Sequence, residues 1–171
     1  MVFTKEEYST RLFATKQSMI EKNLDVLIIT DPSNMNYLTG YDGWSFYVPQ
    51  GLIVNLETDE PIWFGRKQDS NGAKITTYLS SESIIPYPES LIQSPPQHPY
   101  DYVTEIIHKK NLSNKNIGVE MDSYYYSAEC HQRLLKKIPN ANFKDATLLV
   151  NWVRLVKSEK EIEYMQQASV L

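Results

Sequence analysis

The sequence predicts a layered α/β domain with a mixed β-sheet flanked by helices. Short apolar runs typical of buried strands alternate with segments whose apolar residues recur at helical spacing. The run from Asp25 to Thr30 is apolar between its ends, as in a strand buried on both faces. Residues 46–56 and 61–64 are two further predicted strands, joined by the polar turn 57–60, and this arrangement indicates an antiparallel hairpin.

Capping and turn residues predict the first elements of the chain. Thr4 and Glu7 have the spacing of a capping box and predict a helix from residue 4 to residue 22. Asp31 and the proline after it end the first strand and can cap a short helix that runs through Tyr37. Pro49 suits a sheet edge or a bulge in the hairpin.

The second half of the chain continues the alternation of helices and strands. Residues 86–99 hold five of the nine prolines and are predicted to be a long ordered loop. The other predicted elements are a weaker helix at 66–79, a strand at 83–85, a helix at 100–110, a strand at 117–120, a helix at 127–138 and a strand at 142–145.

The last residues predict a helix whose packing partner is missing. Ser158 and Glu161 have the capping-box spacing, and Ile162 and Met165 mark one apolar face after it. The sequence stops without a residue that typically ends a helix. We therefore expect residues 1–153 to form one domain and residues 154–171 to be a linker and the first helix of another. Without a partner, that helix is expected to fray from Ser158 onward.

Composition and charge restrict the function classes. The net charge of -4 gives no basic footprint for nucleic acid. No secretory signal or membrane-length apolar run is present, so we expect a cytoplasmic protein without a membrane partner. Cys130 is the single cysteine and fits a reducing compartment. His131 follows it, but adjacent residues of a helix point in different directions, so a catalytic pair is not expected.

The densest functional signal is the loop and predicted strand start at residues 36–50, rich in large aromatics. Aromatic side chains on a loop are costly unless they pack or bind something, so this segment is a candidate binding lip. The alternative is that Tyr37 and Trp44 fill the space between sheet and helix.

Two polar residues are further candidates for ligand binding. Arg66 ends a predicted strand, where its guanidinium could bind a carboxylate through paired hydrogen bonds. Alternatively, Arg66 pairs with Asp69 and orders the turn. His98 lies in the proline-rich loop, although a lone loop histidine is usually only solvated.

The sequence contains no recognisable catalytic set. The histidines His98, His108 and His131 lie in separate segments, and no His-Glu-x-x-His, Cys-x-x-Cys or Gly-x-Ser-x-Gly spacing occurs. We therefore assign no catalytic residue and no metal ligand to this sequence.

Two segments carry a resemblance to a known family. Asn36-Tyr-Leu-Thr-Gly40 and the pattern Arg-x-x-Lys-Ser-x-x-Glu-Ile at 154–162, in the predicted order of elements, resemble the N-terminal domain of the creatinase and prolidase family. The segments 40–47, 63–73 and 98–102 are similar to the ectoine hydrolase branch of that family.

This resemblance implies a fold, an assembly and an active site located in another domain. It implies a ribonuclease H-like sheet with flanking helices, and a cytosolic homodimer whose active site lies in a missing C-terminal pita-bread domain. Residues after the Asn-Tyr-Leu-Thr-Gly segment would reach the substrate across the dimer, which assigns substrate binding to Trp44, Ser45, Phe46 and Tyr47. The parent protein would hold two divalent ions (Mn, Co or Zn), or none if it is creatinase-like.

The first hypothesis is therefore a non-catalytic N-terminal domain of a hydrolase. Its parent would cleave the C–N bond of a small amide or amidine such as ectoine, or an Xaa-Pro dipeptide. The alternative is a stand-alone small-molecule-binding or dimerisation module.

Overall fold

A computed structural model describes residues 2–170 as a three-layer α/β/α arrangement. The helices are α1 Lys5–Glu21, α2 Pro32–Thr39, α3 Ser70–Thr76, α4 Pro99–Lys109, α5 Ala128–Lys137, α6 Leu149–Val153 and α7 Glu159–Ala168. The strands are β1 Val26–Ile29, β2 Gly51–Asn55, β3 Ile62–Arg66, β4 Ile84–Tyr87, β5 Asn116–Val119 and β6 Asn142–Asp145. None of the helices described has both the length and the apolar character of a membrane span.

One mixed sheet contains all six of these strands, in the order β4-β3-β2-β1-β5-β6. β2 pairs antiparallel with both β1 and β3, so the predicted hairpin is confirmed. The pairs β1 with β5, β3 with β4 and β5 with β6 are parallel. The predicted fold class, a layered mixed sheet with flanking helices, is therefore correct.

The central strand divides the core into two halves. All four residues of β1 are buried, as the continuous apolar run predicts. Leu27 and Ile29 join the core half that includes residues of α1, α2, α3 and α6. Val26 and Ile28 join the half that includes residues of α4 and α5. Burial on both faces therefore follows from the alternation of side chains along a strand that is covered by helices on each side.

Side-chain caps begin several helices where the sequence predicts them. Thr4 Oγ1 accepts a hydrogen bond from the Glu7 N–H at 3.3 Å, and the Glu7 carboxylate pairs with Arg11 at 3.2 Å. Asp31 accepts from two N–H groups at the start of α2. The box of Ser158 and Glu161 forms both of its reciprocal bonds, at 2.9 and 3.2 Å.

Three predicted boundaries are wrong. The strand predicted from residue 46 begins only at Gly51, because Pro49 has no N–H to give to a ladder. Pro86 lies within β4, although residues 86–99 were predicted to form only loop. β4 is an edge strand, where a missing donor is tolerated. The weaker helix predicted at 66–79 is confined to α3, and α6 was not predicted.

Candidate functional site

The loop between α2 and β2 displays aromatic side chains to solvent. Trp44, Phe46 and Tyr47 are 63%, 62% and 59% exposed. The two ends of the loop are held from inside, because the buried Tyr41 hydroxyl donates to Gln50 Oε1 at 3.0 Å. The loop is therefore anchored at its ends while its middle projects outward.

A second loop meets this one from across the sheet. The Trp44 Nε1–H donates to the Tyr125 hydroxyl at 2.6 Å, and the rings of Phe46 and Tyr124 lie 6.4 Å apart. Tyr124 is 79% exposed. We name Trp44, Phe46, Tyr47, Tyr124 and Tyr125 the aromatic patch. Sequence reasoning missed Tyr124 and Tyr125, although three consecutive tyrosines after a buried strand were a signal.

Tyr37 and Trp44, the two aromatics that could fill the space between sheet and helix, differ in burial. Tyr37 is 8% exposed and belongs to the core, as the packing alternative requires. Trp44 does not fill the space between sheet and helix, since most of its surface is in solvent. Ser45 lies half-buried between Trp44 and Phe46.

Arg66 already binds a carboxylate of this chain. Its Nε donates to Glu89 Oε2 at 2.8 Å, and the other Glu89 oxygen accepts from the Gln68 N–H at 3.2 Å. This hydrogen bond raises the pKa of Arg66 and lowers the pKa of Glu89. Arg66 therefore orders the turn after β3, through Glu89 and not through the predicted Asp69. Its Nη1 also reaches the Tyr47 hydroxyl at 3.4 Å, which places it at the edge of the patch.

His98 begins α4 and is half-buried. Its ring Nδ1 accepts a hydrogen bond from the Tyr100 backbone N–H at 3.1 Å. The backbone N–H of His98 donates to Asp101 Oδ2 at 3.0 Å. Burial, followed by the charge of Arg133, lowers the pKa of His98. A neutral imidazole therefore acts as a helix cap here.

Two cavities adjoin the aromatic patch. One cavity of about 200 Å³ has Phe46, Tyr47, His98 and Tyr124 among its lining residues. His98 therefore shares one concave surface with three residues of the aromatic patch. Another of about 460 Å³ has Trp44, Asp42 and Arg154 among its lining residues. Trp44 therefore stands at the rim of the more polar cavity. The arrangement offers a small molecule a partly open surface with aromatic walls.

The remaining candidates for chemistry are engaged locally. His108 contacts Ser113 Oγ, and His131 contacts the Tyr126 hydroxyl at 2.8 Å. Cys130 lies 3.2 Å from Ser127 Oγ, and burial raises the pKa of its thiol. Within residues 2–170, no three His, Cys, Asp or Glu side chains form a cluster that could hold a metal ion. This part of the chain therefore does not fit the metal pair that the resemblance implies for the parent.

Comparison with known proteins places this fold and its motifs in a family. The sequence matches the family described as Creatinase/Prolidase N-terminal domain over residues 11–156. It is 48% identical over 169 residues to an uncharacterized hydrolase/peptidase of Sinorhizobium fredii, covering 99% of this chain and 43% of that protein. It is 48% identical over 167 residues to the ectoine hydrolase of Halomonas elongata, covering 97% of this chain and 42% of that protein. The chain thus spans less than half the length of these curated relatives.

Solved structures share the fold at lower sequence identity. An Xaa-Pro dipeptidase from Bacillus anthracis superposes with a TM-score of 0.70 at 15% identity, covering 91% of this chain and 38% of that one. A proline dipeptidase from Streptococcus pneumoniae gives a TM-score of 0.68 at 21% identity, covering 85% of this chain and 98% of that one. Sequence and fold therefore agree that this chain belongs to the creatinase/prolidase N-terminal domain family.

Proposed function

We propose that this chain is the non-catalytic N-terminal domain of a hydrolase that cleaves the C–N bond of a small amide or amidine. The 48% identity to ectoine hydrolase supports ectoine-like substrates over Xaa-Pro dipeptides, since the Xaa-Pro dipeptidase of Lactobacillus delbrueckii is only 24% identical. In this proposal residues 1–153 form the domain, and residues 154–171 lead into a catalytic domain. That domain would supply the acid, the base and any divalent ions.

The aromatic patch is the observation that carries this proposal. Three neighbouring aromatics that are each about 60% exposed leave much apolar surface in water, which favours a surface that another molecule covers. We infer that in a cytoplasmic homodimer the patch forms part of the wall of the partner subunit's substrate site. There it would exclude water and select substrates, while the bond-breaking groups lie elsewhere.

Kinetics of the full-length parent enzyme test this role. We expect Trp44→Ala to lower kcat/KM for the hydrolysed substrate and to leave the melting temperature nearly unchanged, because the indole is exposed. Trp152→Ala is the matched control, since Trp152 is 66% exposed on α6 and lies outside the aromatic patch. An equal loss of kcat/KM in both variants would remove the special role of Trp44.

Mixed dimers test whether the contribution crosses the interface. One subunit carries Trp44→Ala and the other carries an inactivated catalytic domain. If the patch walls the partner's site, the intact catalytic domain faces the unmodified Trp44 and its activity is retained. Activity as low as that of the Trp44→Ala homodimer would place the contribution within one subunit.

The cavity beside His98 favours one alternative, a stand-alone small-molecule-binding module. Its volume of about 200 Å³ and its aromatic lining suit a small planar ligand. Calorimetry with the 171-residue chain and ectoine or an Xaa-Pro dipeptide tests this alternative. Binding that Tyr47→Ala abolishes would favour the module, and sedimentation of the same chain would test a purely dimerising role.

A further inference from the structure

The segment after α6 is attached to the domain by Arg154. Its Nη1 donates to Asn34 Oδ1 at 2.8 Å, and Asn34 is only 1% exposed. The Asn34 amide nitrogen donates in turn to Glu120 Oε1 at 2.7 Å and to Asn151 Oδ1 at 2.9 Å. Arg154 is therefore held by a buried amide whose own orientation is fixed by two acceptors.

Glu120 connects this attachment to the centre of the sheet. Its side chain is buried, and Oε2 accepts from the N–H groups of Thr30 and Asp31 at 2.7 and 2.9 Å. Those residues follow β1, and Glu120 follows the parallel neighbour β5. One carboxylate thus joins the ends of two central strands and holds Asn34, so the first attachment rests on the buried centre of the sheet.

A second attachment lies seven residues further along the chain. Arg11 of α1 is 5% exposed, and its buried Nη2 lies 3.3 Å from Glu161 Oε1 and 3.2 Å from Glu7 Oε1, as ion pairs without hydrogen-bond geometry. Its guanidinium carbon lies 4.0 Å from the centre of the Phe3 ring and 4.6 Å from that of Tyr37. A cation so enclosed has lost most of its water, so the nearby carboxylates are its main electrostatic compensation.

Helix α7 is held by the ion pair of Arg11 and Glu161 and not by burial of apolar side chains. Glu161 Oε2 closes the capping box with Ser158 while Oε1 faces Arg11. One turn later the Tyr164 hydroxyl donates to the Val2 carbonyl at 3.2 Å. Ile162 and Met165 remain 45% and 59% exposed, and no residue of α7 is buried. The contacts that hold α7 are therefore an ion pair, a hydrogen bond and the edge-on packing of the Tyr164 ring against Phe3, with ring centres 5.3 Å apart.

We propose that Arg11 and Arg154 are positioning residues that fix the direction in which α7 leaves the domain. A single attachment would leave the helix free to swing, whereas two attachments on either side of Ser158 define its axis. We name Arg154 with Asn34, and Arg11 with Glu161, the arginine clamp. The clamp makes α7 an ordered extension of this domain, in contrast to the fraying expected from its unpaired apolar face. It does not depend on the proposed hydrolase function.

Hydrogen exchange of the 171-residue chain tests the second attachment. Glu161→Gln keeps an oxygen for the Ser158 N–H but removes the charge that faces Arg11. We expect exchange at residues 162–168 to rise roughly fivefold, the ratio that corresponds to a loss of about 1 kcal/mol. Exchange in β1 should not change, which would show that the domain remains folded.

The matched control is Glu159→Gln, which removes the same charge from the same helical turn. Among residues 2–170, Glu159 lies within ion-pair distance of no basic side chain, so only the general helix-dipole effect is lost. Equal exchange in the Glu159→Gln and Glu161→Gln variants would overturn the clamp. So would an α7 that is unprotected in the unmodified chain.

Distances between spin labels test direction itself. In a Cys130→Ser background, labels at Gln167→Cys and Lys137→Cys report the position of α7 relative to α5; both label sites are exposed. We expect a narrow distance distribution that broadens when Arg154→Met or Glu161→Gln is added. A distribution that is equally narrow in both variants, or broad from the start, would show that the clamp does not aim α7.

Discussion

At the scale of the residue, Trp44 and Trp63 show the same type of side chain in two different environments of this fold. Trp44 is 63% exposed and keeps its Nε1–H paired with Tyr125. Trp63 lies in β3 with no exposed surface and packs beside Tyr41, with ring centres 5.4 Å apart. The same indole therefore lies mostly in solvent in one place and contributes volume to the core in the other.

This difference predicts two very different costs of truncation. Trp63→Ala should destabilise the chain by roughly 3–5 kcal/mol, since it removes a fully buried aromatic and leaves a cavity. Trp44→Ala should cost less than about 1 kcal/mol, because mainly an exposed hydrogen bond and partial contacts are lost. Urea unfolding of the two variants measures both values. If Trp44→Ala lowered the free energy of unfolding about as much as Trp63→Ala, Trp44 would be a packing residue.

His98 predicts a pH dependence of stability. Its Nδ1 must be unprotonated to accept the Tyr100 N–H, and burial lowers its pKa below the ordinary value of 6.5. As the pH falls below about 6.5, the unfolded chain takes up the proton first, so this contribution to stability is lost. His98→Asn keeps a capping oxygen but cannot titrate, so its free energy of unfolding should fall less between pH 7 and pH 5. Identical profiles for the two proteins would contradict this assignment.

Sequence reasoning found residues whose partners are near in the chain and missed those whose partners are far away. The caps of Ser158 and Asp31 involve neighbours within three residues, so spacing alone predicts them. Arg66 pairs with Glu89, 23 residues away, because β3 and β4 are adjacent in the sheet. The spacing of residues along the sequence suggests only Asp69 as a partner of Arg66.

At the scale of the element, β2 starts at a glycine whose backbone lies close to both neighbouring strands. A Cβ atom added to Gly51 would lie 2.5 Å from the Ile29 carbonyl oxygen and 2.6 Å from the Phe64 ring. The two predicted strands and the polar turn between them predict a hairpin here, but the predicted first strand extends through Pro49 to Phe46. The true start reflects both Pro49, which has no N–H to give to a ladder, and this close contact between strands, which no local pattern contains.

Two glycine substitutions separate close approach from ordinary helix propensity. Gly51→Ala should destabilise the chain, because backbone or the Phe64 ring must move to admit the methyl group. Gly72→Ala in α3 should stabilise it by roughly 0.5–1 kcal/mol, since nothing lies within 4 Å of the added atom and alanine favours a helix. Thermal or urea unfolding gives the sign of each change. A neutral Gly51→Ala would mean that β2 can shift away from β1.

At the scale of the whole molecule, the fold class follows from the order of buried runs, hairpin and helices, so the sequence predicts it. The aromatic patch does not follow in the same way. Its two loops are separated by 81 residues between Trp44 and Tyr125, and only the adjacency of β2, β1 and β5 brings them together. Pairing across a sheet is a property of the complete topology, which explains why Tyr124 and Tyr125, two of the five patch residues, do not follow from local sequence patterns.

The distribution of reactive groups over the molecule predicts that this chain alone hydrolyses neither ectoine nor Xaa-Pro dipeptides. Amide hydrolysis needs an activated nucleophile with a positioned acid and base. Burial raises the pKa of Cys130 and so favours the unreactive thiol, while His98 caps α4 and His131 contacts Tyr126. Turnover assays with and without added Mn²⁺ check this expectation. Activity that persists through purification and disappears in His98→Asn would show that the domain contains its own catalytic site.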